Sequence, residues 1–276
     1  MELTSGQILA HRLHAHHLDT PLPPGQLTQA AGACGLQNSP PGAWETAAFL
    51  RVAETSIAAL HEALYHDRTL LQAWSWRGAP VVFPTRDAGV FLTPLEARPG
   101  EEPWIYTKGI GLALDFLGME FAPLLALVRP AAPVLEPETK QYKENLDPSQ
   151  ADPVLPADKR ALWDAPSMYG RPGRQTVGGA AVSFLLRPCA FGGQVVFGMR
   201  QGTHPTFTAP VHWLGRPLPA VDPDAACHEL VRRFLHCYGP ASRQDLMDWL
   251  GCSPAQGQRM WQAILPDAVA VQVAGK

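Results

Sequence analysis

Three times along this chain a helical hydrophobic period gives way to a pair of short β-like runs, and that recurrence limits the fold more than any other feature. The clearest instance comes last. Ala225–Cys237 gathers Leu230, Val231, Phe234 and Leu235 on one helical face before Gly239-Pro240 ends the run. Ser242, followed three residues later by Asp245, opens a second helix to Leu250 as a capping box, and Ser253-Pro254 caps and starts a third. Val269, Val271 and Val273 then alternate as a strand requires. Such a strand needs a partner, supplied either by another part of the chain or by residues beyond Lys276.

The other two blocks repeat the order. In the first, helices are expected at Gln7–Leu18, Gln26–Cys34, Ala43–Ala53 and Ile57–His66, followed by a hairpin of Leu70–Trp76 and Pro80–Pro84 across Arg77-Gly78. In the second, Ile110–Phe116 and Phe121–Val128 lead into a Pro- and charge-rich connector, Pro130–Pro156. Helices at Asp158–Trp163 and Thr176–Leu186 follow, then a hairpin with Arg200 near its tip. The divisions fall at 1–103, 104–220 and 221–276. The expected architecture is α+β and mainly helical, three tandem winged helix-turn-helix units, a unit that commonly lays its last helix in a DNA major groove.

Charge decides whether such units face nucleic acid. The net charge of −3 argues against it, but the charge is unevenly spread. Residues 1–150 hold ten basic and sixteen acidic side chains, residues 151–276 twelve and nine. Between Lys159 and Arg216, seven basic residues meet only Asp164. That stretch includes Arg171, Arg174, Arg187 and Arg200, and it reads as an anion footprint. The apolar stretch from Gly109 to Val128 carries Asp115 and Glu120, which suits a soluble helix pair better than a membrane span. No secretory signal opens the chain, and five cysteines without close pairs suit reduced thiols in a cytoplasm.

One polar break stands out. Gln37, Asn38 and Ser39 interrupt two apolar segments just before Pro40-Pro41-Gly42. They are either turn residues satisfying the backbone or side chains that hold a water or ligand.

The stretch His228–Gly251, HELVRRFLHCYGPASRQDLMDWLG, resembles the winged-helix family of AlkZ- and YcaQ-type DNA glycosylases, in which a helix ends in Gly-Pro-Ala before the next begins. GLQNSPPG resembles that family's Gly-Leu-Gln-x-Gln segment, LQAWSWRGAP its Trp-x-x-Arg-Gly motif, and FLLRPCAFGGQVVFGMR its second winged-helix unit. The resemblance spans most of the chain. It implies three winged helices in a C-shaped scaffold around DNA, and excision of alkylated or cross-linked bases with a glutamine pair positioning the attacking water. Gln37 matches the first glutamine, Ser39 stands where the second is expected, and Ala79-Pro80-Val81 replaces the usual Thr-Leu-His.

The resemblance gives the polar break a role. Gln37 and Ser39 become candidate catalytic residues, because a glutamine carbonyl can accept a hydrogen bond from the attacking water while its amide is pinned by a neighbour, and a serine hydroxyl can accept at shorter reach. Glu45, Glu54 and Asp87 are the nearest acids, each suited also to a helix start or the surface. Arg77 either contacts a DNA phosphate or makes an internal ion pair. His11, His14, His16 and His17 share a helix without a completing acid or cysteine, so no metal is expected, and no cofactor fingerprint appears. The expectation is a cytoplasmic, monomeric, cofactor-free protein of double-stranded DNA, a repair glycosylase for alkylated or cross-linked bases. The alternatives are a transcription regulator and a protein that sequesters an alkylating natural product.

Overall fold

The computed structural model describes residues 2–103, 108–129, 155–168, 175–200, 202 and 205–274. Two compact units divide the chain: Met1–Trp104 with Leu218–Lys276, and Ile105–Pro217. The architecture is mainly helical with small sheets.

The first unit begins with a strand β1 (Glu2–Leu3) and a helix α1 (Ser5–Ala15). Thr4 and Gln7 form a capping box, which sets the start of α1 two residues before the expected Gln7. Helix α2 (Leu27–Cys34) leads into β2 (Leu36–Gln37), then α3 (Ala43–Phe49) and α4 (Ile57–His61), whose end widens into a π-turn over Glu62–His66. Helix α3 stops short of Ala53 because Leu22 takes the backbone there: Leu22 N–H donates to Arg51 O at 2.8 Å, and Ala53 N–H donates to Leu22 O at 2.9 Å.

Strands β3 (Leu70–Trp74) and β4 (Pro80–Pro84) form the expected hairpin, joined by a 3-10 turn at Trp76–Gly78. Their sheet has the order β2-β4-β3, with Gln37 opposite Val81 and Ala73 opposite Val81 on the other side. A short helix α5 (Ala88–Leu92) follows, and its Phe91 stacks on Phe83 at 4.9 Å.

The second unit holds α6 (Lys108–Leu117), α7 (Phe121–Val128), α8 (Arg160–Trp163), α9 (Val177–Phe191), β5 (Val196–Phe197), β6 (Phe207–Thr208) and α10 (Pro210–Leu214). Thr176 caps α9, and the helix runs through Pro188 instead of ending at Leu186. Among the described residues no single helix is long and apolar enough to cross a membrane; α6 and α7 pass that test only as a pair bent by 96°. Most of the connector Pro130–Pro156 lies outside the described residues.

The chain then returns to the first unit with α11 (Pro223–Tyr238), α12 (Arg243–Leu250), α13 (Pro254–Ile264) and β7 (Gln272–Val273). The Ser242–Asp245 capping box and the Ser253 cap both form as read from the sequence. Helix α11 turns Leu230, Val231 and Phe234 inward, packing against α2, α5 and α13. Each such side chain contributes about 1.5–3 kcal/mol relative to exposure. The alternating valines give a strand only at β7, since Val269 is 84% exposed. Its partner comes from within the chain: β7 pairs in parallel with β1, Leu3 opposite Val273.

Candidate functional site

Gly35 makes the turn between α2 and the candidate loop. Its φ of 78° and ψ of 156° lie in a region that side chains avoid, and a Cβ there would press on Val81. The next three residues alternate as an extended chain does. Leu36 and Asn38 are buried, Gln37 is half-buried on the other side, and Ser39 is exposed.

Asn38 is the brace of this loop. Its backbone N–H donates to Pro80 O at 2.8 Å, its Nδ2 donates to Gln72 Oε1 at 3.1 Å, and its Oδ1 accepts from Gly42 N–H at 2.7 Å. With both ends of the amide engaged, Asn38 is structural, and its neighbours are left to face outward.

Arg77 reaches the loop from the hairpin turn. Its backbone is left-handed, φ 57°, while Trp76 and Gly78 on either side are buried. The turn is pinned from three directions. Trp76 Nε1 donates to Cys34 O at 3.2 Å, Ser75 Oγ donates to Phe91 O at 2.6 Å, and the Trp76 ring stacks on Trp249 of α12 at 5.4 Å. Behind Trp249 stand Phe234 and Tyr238, with centroids at 5.1 and 6.0 Å, and burial pushes the Tyr238 hydroxyl up to about 12.

On this aromatic base the Arg77 guanidinium lies 4.8 Å from the Trp76 ring, and Nη2 donates to Gln37 Oε1 at 3.5 Å. Among the described residues no carboxylate pairs with Arg77. The expected alternative of an internal ion pair is therefore absent there. The nearby acids are engaged elsewhere: Glu45 is buried and its Oε1 lies 3.0 Å from His61 Nε2, and Asp87 pairs with Arg233 at 2.9 Å. Glu54 is exposed.

Of the sequence-derived site residues, Gln37, Ser39 and Arg77 belong to the first unit, and Arg77 meets Gln37 directly. Arg187 and Arg200 belong to the second unit. Arg187 is half-buried, donates to Ser183 O at 3.1 Å and lies 5.6 Å from the Phe184 ring; Arg200 is half-buried after β5. Arg171 and Arg174 lie outside the described residues. Sequence reading missed two parts of the site, the Asn38–Gln72 bond and the support from Trp249. The two consecutive amides and the tryptophan-rich hairpin hinted at both, but neither has a spacing that names its partner.

Comparison with known proteins extends these local features to the whole chain. Residues 30–276 match the family model described as DNA glycosylase AlkZ-like. The chain is 26% identical over 260 residues to the interstrand DNA cross-link repair glycosylase of Streptomyces sahachiroi, covering 91% of this chain and 61% of that protein. It thus spans less than two thirds of that relative's length. In fold it is similar to Streptomyces sahachiroi DNA glycosylase AlkZ, with a TM-score of 0.71 at 19% identity, covering 100% of this chain and 69% of the other. A loop that presents Gln37 beside Arg77, in a chain matched by the family from residue 30 to its last residue, leads to one conclusion: this chain belongs to the AlkZ-like DNA glycosylase family.

Proposed function

We propose that this protein is a hydrolytic glycosylase of duplex DNA carrying alkylated or cross-linked bases. The observation that carries the reading is the Gln37 side chain held outward by Arg77, a cation that no carboxylate neutralises among the described residues.

N-alkylation leaves a purine positively charged and therefore a good leaving group. A water oxygen attacks C1′ of the sugar, the N-glycosidic bond breaks, its electron pair leaves with the base, and the attacking water gives its proton to solvent. The protein's task is to position that water and to favour the developing oxocarbenium sugar. Gln37 Oε1 keeps a second lone pair beside the one that Arg77 occupies, and that lone pair accepts from the water. Ser39 accepts from it at shorter reach. Arg77 polarises the amide and grips a flanking phosphate. Arg171, Arg174, Arg187 and Arg200 hold further phosphates along the duplex.

The same proposal includes the finer architecture. The sheet β2-β4-β3 with α2, α3 and α4, the middle unit, and α11 to α13 read as three winged-helix modules acting as a monomer without a cofactor. One observation favours a second reading: the short Ser39 hydroxyl in place of a second amide suits a protein that binds DNA or an alkylating agent without turnover.

The test is incubation with duplex DNA containing N7- or N3-alkylated purines, followed by detection of abasic sites, for wild type and Gln37→Ala. Product from wild type that falls at least tenfold in the variant is expected. Tight binding without product from any adduct would replace the glycosylase reading with the binding one.

A further inference from the structure

A second polar feature of the first unit lies apart from the Gln37 loop. A cavity of about 580 Å³ opens between the end of α1, the length of α2 from Gln26 to Ala33 and the side of α11. Its lining brings together Arg86, Arg232 and Arg233 with the imidazoles of His17 and His236, and Asp87 is the one acid among the described residues of the wall.

We propose that this cavity is a second DNA contact, taking backbone phosphates of the duplex. The proposal rests on the DNA-binding reading above and extends it to a surface that the glycosidic chemistry does not need.

Charge balance around the cavity supports it. Glu229 accepts from both Arg232 and Arg233, and Asp87 pairs with Arg233, so these two acids are spent on the α11 arginines. Arg86 lies 3.8 Å from Asp87 with its side chain 75% exposed, which leaves it free to turn toward a ligand. Behind the wall, Arg12 donates only to Gly239 and Pro240 carbonyls and Arg51 to Ala47 O, with no carboxylate on either among the described residues. The region therefore carries more positive charge than its acids offset, and a phosphodiester is the ligand class that offsets the remainder.

Burial first, and neighbouring basic groups second, lowers both histidines of the wall. Burial, then His14, Arg51 and His236, hold the His17 imidazole below the usual histidine range, with Asp19 opposing. Burial, then His11, Arg232 and His14, do the same at His236. Arg86, Arg233 and Asp87 face the same space from the turn after β4 and from α11. His17 also exits α1 with a φ of 55°, a backbone position where glycine is the usual residue, yet an imidazole is kept there. A polyanion seated in the cavity raises both imidazoles, so binding takes up protons and tightens as pH falls.

The experiment is equilibrium binding of a short undamaged duplex at about pH 8 and about pH 6, over a salt series. His17→Gly removes the imidazole and suits the left-handed backbone, and Arg86→Ala removes an exposed side chain, so both variants keep the fold. Wild type should bind several-fold tighter at the lower pH, and His17→Gly should lose much of that gain. Arg86→Ala should weaken binding at both pH values and reduce the log–log salt slope by about one. If both variants match wild type while Arg77→Ala weakens binding, the cavity is not a DNA contact and the glycosylase reading stands. If wild type binds no duplex, the DNA reading falls and this inference falls with it.

Discussion

Asn38 Nδ2 donates to Gln72 Oε1 at 3.1 Å between two buried side chains, and the same Asn38 accepts from Gly42 N–H through Oδ1 at 2.7 Å. Truncation leaves a buried amide oxygen and a backbone N–H without partners, each costing about 1–3 kcal/mol. Asn38→Ala should therefore lower the unfolding free energy by about 2–4 kcal/mol in a urea titration. An unchanged midpoint would show that water replaces the side chain and that the loop is not braced by it.

Gly35 should tolerate no side chain. Its φ of 78° with ψ of 156° is reached almost only by glycine, and an added Cβ would meet Val81 Cγ1 at 2.5 Å. Gly35→Ala is expected to cost about 3 kcal/mol and to displace the strand carrying Gln37, reducing excision as well as stability. Loss of stability with full excision would separate the turn from the site.

A bidentate pair offers a test remote from the site. Arg259 Nε donates to Glu101 Oε1 at 2.6 Å and Nη2 to Oε2 at 3.1 Å, with side-chain exposures of 17% and 9%. Arg259→Ala strands a nearly buried carboxylate and should destabilise by about 3–5 kcal/mol in chemical denaturation. Arg259→Lys keeps the charge but loses the fork, and should recover only part of that. Neither variant should change the salt slope of DNA binding.

Acid should weaken the fold in a defined window. Burial, with Arg51, His17, His236 and Arg12 adding to it, lowers His16 from 6.5 to about 4. The folded state therefore holds this imidazole neutral where the unfolded chain protonates it. Stability is fully present above about pH 6.5 and is lost as pH falls toward about 4. His16→Gln should flatten the melting temperature across that window, and an unaltered slope would assign the loss to other groups.

Several elements of this molecule are encoded by residues close together in the chain. Ser242 with Asp245 and Ser253 with Pro254 carry their cap chemistry within four residues, and both helices begin where those residues place them. The hairpin around Arg77 was legible for the same reason. Gln37 was legible only as a polar residue out of place, and the family resemblance made it a candidate. The bond to Gln72, 34 residues away, and the stacking of Trp76 on Trp249 depend on pairings that no local period encodes. The partner of the last strand was open for the same reason, since Glu2–Leu3 carries no mark of Gln272–Val273.

The parallel pairing of Leu3 with Val273 has a consequence for the order of events on the ribosome. Residues 218–276 emerge after both the first hundred residues and Ile105–Pro217, yet they supply Trp249 beneath the Arg77 turn and the strand that β1 needs. The contiguous segment Ile105–Pro217 can collapse while synthesis continues, whereas the first hundred residues must wait with their apolar surface uncovered. Arg77 is thus seated on its aromatic base only after Trp249 has emerged, so a nascent chain carries Gln37 long before the turn beside it is supported.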